Sequence, residues 1–157
     1  MIYTEELIAT LIECSKTITK PPSKSFKVER GYLRNDFEVQ SIDKQYNFEC
    51  FIRVNEKFME NFSVGMNFIP TDERGTIPLL RCNGSHGPHK TYPHHNFCHI
   101  HRGTAETIAM GLKPDSNIEV TTEYTSYQEA ITYFLKLTRI KEGQQFFPIN
   151  QLELFKK

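Results

Sequence analysis

The 157-residue chain contains no Trp, and it has no surplus of either charge: 19 Lys and Arg face 19 Asp and Glu, for a formal net charge of zero. That balance argues against a protein that grips nucleic acid by bulk electrostatics, while leaving room for a local basic site. No apolar run approaches the roughly 20 residues that span a bilayer, so no membrane partner is expected. The first residues, Met1-Ile2-Tyr3-Thr4-Glu5-Glu6, are acidic where an export signal is basic and then apolar, which predicts a cytoplasmic location. There are only four cysteines, Cys14, Cys50, Cys82 and Cys98, and their spacing is not that of a small disulfide scaffold; reduced thiols are expected. Neither a Gly-x-Gly-x-x-Gly fingerprint, a phosphate-loop Gly-Lys-Ser/Thr nor a Gly-x-Ser-x-Gly elbow occurs, so the sequence indicates no nucleotide cofactor and no serine hydrolase.

What is present suits one domain over residues 1–157, since 38% hydrophobic residues are enough to build a core without staples. Residues 4–16 predict an amphipathic helix capped by Thr4, with Leu7, Ile8, Leu11 and Ile12 on its inner face. Pro21-Pro22 ends it. From Phe26 to Cys82 the apolar residues alternate: Tyr46, Phe48, Cys50, Ile52 and Val54 in one stretch, Phe62, Val64, Met66 and Phe68 in another. This two-residue period marks strands with one buried face. Asn35-Asp36 and Asp72-Glu73-Arg74-Gly75 read as turns, and Pro78 is expected to place its strand at an edge. A short helix over Thr104–Gly111, a strand over Ile118–Tyr124, and a helix opened by Ser126-Tyr127-Gln128-Glu129 and closed by Gly143 complete the chain. The expected fold is α+β: an antiparallel β-meander with an N-terminal helix and a long C-terminal helix packed on it. The apolar tail from Phe146 to Phe155 is expected to fold back on the domain.

All six histidines lie between residues 86 and 101, in a Gly-, Pro- and Asn-rich stretch leaving the end of a strand. Three readings of this segment compete. In the first, it is a catalytic site for an RNA phosphodiester. One imidazole takes a proton while another gives one to the leaving oxygen, and a cation stabilises the phosphorane-like charge. His86 or His89 would pair with His99 or His101, and Arg81 would supply the cation. Asn83, Lys90, Arg102 and the Gly84 and Gly87 amides would hold the phosphate, and Tyr92 and Phe97 would stack a base. If His99-Ile100-His101 is a strand, its two imidazoles project to the same side.

In the second reading the segment holds a metal, with zinc the first guess. His86-x-x-His89 and His99-x-His101 are spacings that metal sites use, and Cys82 and Cys98 add soft ligands. In the third, the histidines bond main-chain oxygens and brace a loop. His94 and His95 read as solvated. Thr104-x-Glu106 reads first as a helix cap, with Glu106 a candidate to orient His101.

The run from Leu80 through Asn83-Gly84-Ser85-His86-Gly87-Pro88-His89, with His99-Ile100-His101-Arg102, Thr104 and Glu106, resembles an uncharacterised family of small bacterial and mobile-element proteins. Tyr124-Thr125-Ser126 and Glu129-Ala130 extend the likeness over about the C-terminal half. The resemblance implies a phage or mobile-element setting and gives Arg81, His86, His89, His99 and His101 more weight than His94 and His95. Two functions are therefore expected to compete. One is a toxin-like ribonuclease acting on RNA and held by an antitoxin. The other is a non-enzymatic protein that inhibits a host defence enzyme, its His/Cys cluster structural or zinc-binding.

Overall fold

The computed structural model describes residues 1–86, 96–111 and 117–147. Helix α1 (Glu5–Glu13) is followed by strands β1 (Lys16–Lys20), β2 (Lys27–Glu29), β3 (Tyr32–Ser41), β4 (Asn47–Asn55), β5 (Phe62–Ile69), β6 (Ile77–Asn83) and β7 (His99–Arg102). Helix α2 (Ala105–Ala109), strand β8 (Ile118–Val120), helix α3 (Tyr127–Leu137) and a 3₁₀ turn (Gly143–Gln145) complete the order. The eight strands form one antiparallel sheet in which β3 to β8 run as a meander, with β1 and β2 both pairing along the outer edge of β3. The fold is α+β, as the sequence predicts, although α3 is an ordinary eleven-residue helix rather than a long one.

The helices form where the sequence supplies caps. Thr4 accepts the Leu7 amide and Ser126 accepts the Glu129 amide, each satisfying an N–H that the first helical turn leaves open. Ile8, Leu11 and Ile12 of α1 and Ala130, Ile131, Phe134 and Leu135 of α3 are buried against one face of the sheet. That face carries Phe37 and Val39, then Phe48, Cys50, Ile52 and Val54, then Phe62, Val64, Met66 and Phe68. Burying aliphatic and aromatic side chains of this size contributes roughly 1.5–3 kcal/mol each before chain entropy is counted.

Four local expectations are corrected. Asn35-Asp36 is not a turn but lies within β3: Asn35 is buried, and its amide bonds both the N–H and the C=O of Ser23, so a polar residue is satisfied inside a strand. The hairpin turns instead at Arg30-Gly31, both at positive φ. Pro78 does not mark an edge, because β6 lies between β5 and β7. It sits at a bulge and beyond the residues that pair with β7, where its missing N–H interrupts no ladder. Strand β1 directly follows α1, inside the span assigned to helix or to the proline break. Finally, α3 ends at Thr138, with Arg139 at φ 53° turning the chain before Gly143 is reached. Phe147 is buried against Phe37, with ring centroids 5.4 Å apart, as far as the described tail extends.

Candidate functional site

Residues directly opposite on antiparallel strands share a face of the sheet. The register therefore aligns Arg34, Arg53, Ser63, Asn83, His99 and Val120 as one row across β3 to β8. Asp36, Phe51, Gly65, Arg81, His101 and Ile118 form the next row. Both rows alternate with the core residues, so they lie on the face turned away from α1 and α3. The strand expected at His99-Ile100-His101 is present as β7, and its two imidazoles do project to one side, with ring centroids 4.9 Å apart.

Three of the histidines meet. The ring of His86 lies 5.3 Å from that of His99, so His86, His99 and His101 form a consecutive series. The series runs from surface to interior: His86 is exposed, whereas His99 and His101 are 0% and 4% exposed. Arg81 pairs directly with His101 across the strands. Two rings are oriented by acceptors. His99 Nδ1 lies 2.8 Å from the carbonyl oxygen of Phe97, and His86 Nδ1 lies 2.8 Å from Asn61 Oδ1. Both oxygens only accept, so both Nδ1 atoms carry hydrogen and each neutral ring keeps its lone pair on Nε2.

The backbone around the series is held by residues that the histidine pattern does not reveal. Tyr124, 1% exposed, brings its hydroxyl within 2.9 Å of the Asn83 carbonyl and 3.0 Å of the His99 carbonyl. Burial raises its pKa well above the usual tyrosine value, so it acts as a neutral donor. Asn61 belongs to the β4–β5 turn, 25 residues before His86, and nothing in its local sequence links the two.

Several predicted site residues are placed elsewhere. Cys82 pairs with Val64 on the core face, fully buried, and burial pushes its thiol up to about 12. Cys98 packs against the same core, and burial also raises its thiol. The sheet thus separates both cysteines from the imidazoles, and the expected His/Cys ligand set is not assembled. Among the described residues, no group of three or more His, Cys, Asp or Glu is arranged to hold a metal ion. Arg102 pairs with Leu80 and so shares the opposite face from His99 and His101. The Gly84 amide donates to the Phe62 carbonyl at 2.9 Å and is committed to the fold rather than to a phosphate. Asn83 is 3% exposed, its amide oxygen accepting from the Ser63 hydroxyl at 2.8 Å. Thr104 caps α2 in a reciprocal box with Thr107, while Glu106 is exposed on that helix. His89, Lys90, His94, His95, Gly87 and Tyr92 lie outside the described residues.

Among the described residues, no helix is long and apolar enough to cross a membrane. No protein-family model, curated protein or solved structure matches the chain.

Proposed function

We propose that the protein is a ribonuclease that cleaves RNA phosphodiesters by imidazole acid–base catalysis. The observation that carries this reading is the ring series His86–His99–His101, with centroid spacings of 5.3 and 4.9 Å and Arg81 in the adjoining cross-strand position. His86 is the exposed ring and exchanges a proton with substrate; His99 or His101 supplies the complementary group. The base removes the proton of the ribose 2′-hydroxyl, and O2′ forms a bond to phosphorus as the P–O5′ bond breaks. The acid returns a proton to O5′, leaving a 2′,3′-cyclic phosphate and a 5′-hydroxyl. Arg81 offsets the charge that grows on the phosphoryl oxygens. A toxin-like role, with an antitoxin as protein partner, belongs to this reading.

The burial of His99 and His101 favours a second reading, in which the rings brace a non-enzymatic protein of phage or mobile-element type that blocks a host defence enzyme. Zinc has no assembled donor set in support of it. Incubating the purified protein with total RNA, with and without chelator, separates the readings. Cleavage that survives chelator and falls by about two orders of magnitude in His86→Ala is expected. A folded His99→Ala/His101→Ala double variant with full activity, or an inert parent protein, sinks the ribonuclease and leaves the binder.

A further inference from the structure

The face of the sheet that carries His99 and His101 continues across β5, β4 and β3 as an open surface. There a cavity of ≈ 360 Å³ is lined by Arg34, Glu49, Phe51, Arg53 and Asn67, with Lys20 at its edge. We infer that this surface is a track for single-stranded RNA that feeds the histidine series, an inference that rests on the ribonuclease reading and names its substrate class.

Four features of the surface support the track. First, Phe51 stands directly opposite Gly65, and a Cβ at position 65 would meet the Phe51 ring. The missing side chain lets an aromatic ring lie against the sheet in the middle of a polar face. Core packing does not explain that ring, whereas stacking of an unpaired base does. Second, Arg34 and Arg53 are direct cross-strand neighbours, a like-charge pair that is unfavourable by itself. They share Asp36, whose carboxylate lies 2.9 Å from Arg53 and 3.9 Å from Arg34, and Arg34 also reaches Glu29 at 3.1 Å. Exposed pairs of this kind contribute little, so a phosphate can exchange for the carboxylate.

Third, Arg53 and His99 lie in the same row, three strands apart. At about 4.8 Å per strand the separation is roughly 14 Å, a reach of a few nucleotides. Fourth, Glu49, fixed by Asn67 at 3.1 Å and directly opposite Glu38, makes the other end of the cavity acidic. Phosphates are repelled there, while a carboxylate and an amide can meet the hydrogen-bonding edge of a base. The basic and acidic ends together orient a strand with its backbone along Arg34 and Arg53. A duplex offers neither an unstacked base for Phe51 nor an edge for Glu49 and Asn67.

The test is equilibrium binding of a fluorescent single-stranded RNA oligomer to full-length protein carrying His86→Ala, which prevents turnover. We expect binding to the single strand and not to the same sequence as duplex. Two arginine contacts give a slope of log K against log salt of about −1.4, and Arg53→Gln reduces it by about 0.7. Phe51→Ala weakens binding about tenfold or more while leaving the salt slope in place. Equal binding of duplex, unchanged affinity in both Phe51→Ala and Arg53→Gln, or no binding of the single strand overturns the track. The two claims fail separately. Cleavage of a dinucleotide by the unaltered protein reports on the histidines alone. Dinucleotide cleavage without oligomer binding removes the track only; oligomer binding with the expected variant effects but no cleavage retains the track and removes the ribonuclease.

Discussion

The Tyr124 hydroxyl lies 3.0 Å from the carbonyl oxygen of His99, and 2.9 Å from that of Asn83 on the neighbouring strand. One phenol proton thus serves two carbonyls where β6 and β7 come together, at the residue whose ring sits between His86 and His101. Tyr124 is a positioning residue in this arrangement. Tyr124→Phe keeps the ring against Phe62 and Tyr133 but leaves both carbonyls without that donor. A loss of about 2 kcal/mol in denaturant unfolding is expected. If the hydroxyl also sets the strand ends for chemistry, kcat on a dinucleotide falls with little change in KM, and the amide signals of Asn83 and His99 shift by NMR. Unchanged stability removes the claim that the hydroxyl ties the strands.

Much of this frame was legible in the sequence because its signals are local. The two-residue period of Tyr46 to Val54 and Phe62 to Phe68 marks β4 and β5 with their buried faces, and Thr4 and Ser126 mark the starts of α1 and α3. The same period pairs His99 with His101. What stayed hidden depends on long-range partners. Asn35 looks like a turn residue until Ser23 is seen to satisfy its amide, and Pro78 looks like an edge residue until the bulge removes the need for its N–H. The nearness of Cys82 and Cys98 to the histidines in sequence suggested shared ligation. Alternation along β6 sends Cys82 to the opposite face from Arg81, a separation visible only once the register is known.

Gly84 leads from β6 to His86 through a gap that admits no side chain. A Cβ there would meet the Glu60 carbonyl oxygen and the Phe62 ring, and the Gly84 amide already donates to Phe62 at 2.9 Å. Backbone cannot yield as a flexible side chain can, so Gly84→Ala is expected to cost about 3 kcal/mol. The His86–Asn61 contact should be disturbed as well, because the segment that carries His86 must move. A variant with parental melting temperature and parental His86 chemical shifts contradicts this account.

The thiols test the face assignment without any assay of function. Cys50 and Cys82 are buried, and burial raises both thiols, Cys82 to about 12. In the native protein at neutral pH neither should react with an aromatic disulfide reagent on the minutes timescale, whereas both react once denaturant is added. Cys14 and Cys98 are partly exposed and should react faster than the buried pair. A chelator should leave the Cys82 rate unchanged. Rapid native labelling of Cys82, or labelling that appears only after chelation, contradicts its place in the core and revives a metal role.

Lys16 makes the last prediction, because its side chain is fully buried yet charged. Its Nζ donates to the carbonyls of Ile12 at 2.7 Å, Cys14 at 2.8 Å and Thr138 at 2.8 Å, and it lies 5.0 Å from the centre of the Phe48 ring. An ammonium has three hydrogens for three carbonyls, and those carbonyls belong to the C-terminal ends of α1 and α3, the negative ends of two helix dipoles. Lys16→Met removes a charge but strands the carbonyls, so a loss of about 3 kcal/mol is expected at pH 7. Burial lowers the folded pKa of Lys16 from the ordinary 10.5 to about 8. Between these values the unfolded chain holds a proton that the folded chain has released. The unfolded state then binds more protons, so this group makes stability rise as pH increases from about 8 to 10.5, by up to about 3 kcal/mol. Parallel denaturation curves for the parent and Lys16→Met should therefore diverge in the parent's favour across that window. A constant gap would mean that the three carbonyls hold the ammonium's proton as firmly as water does.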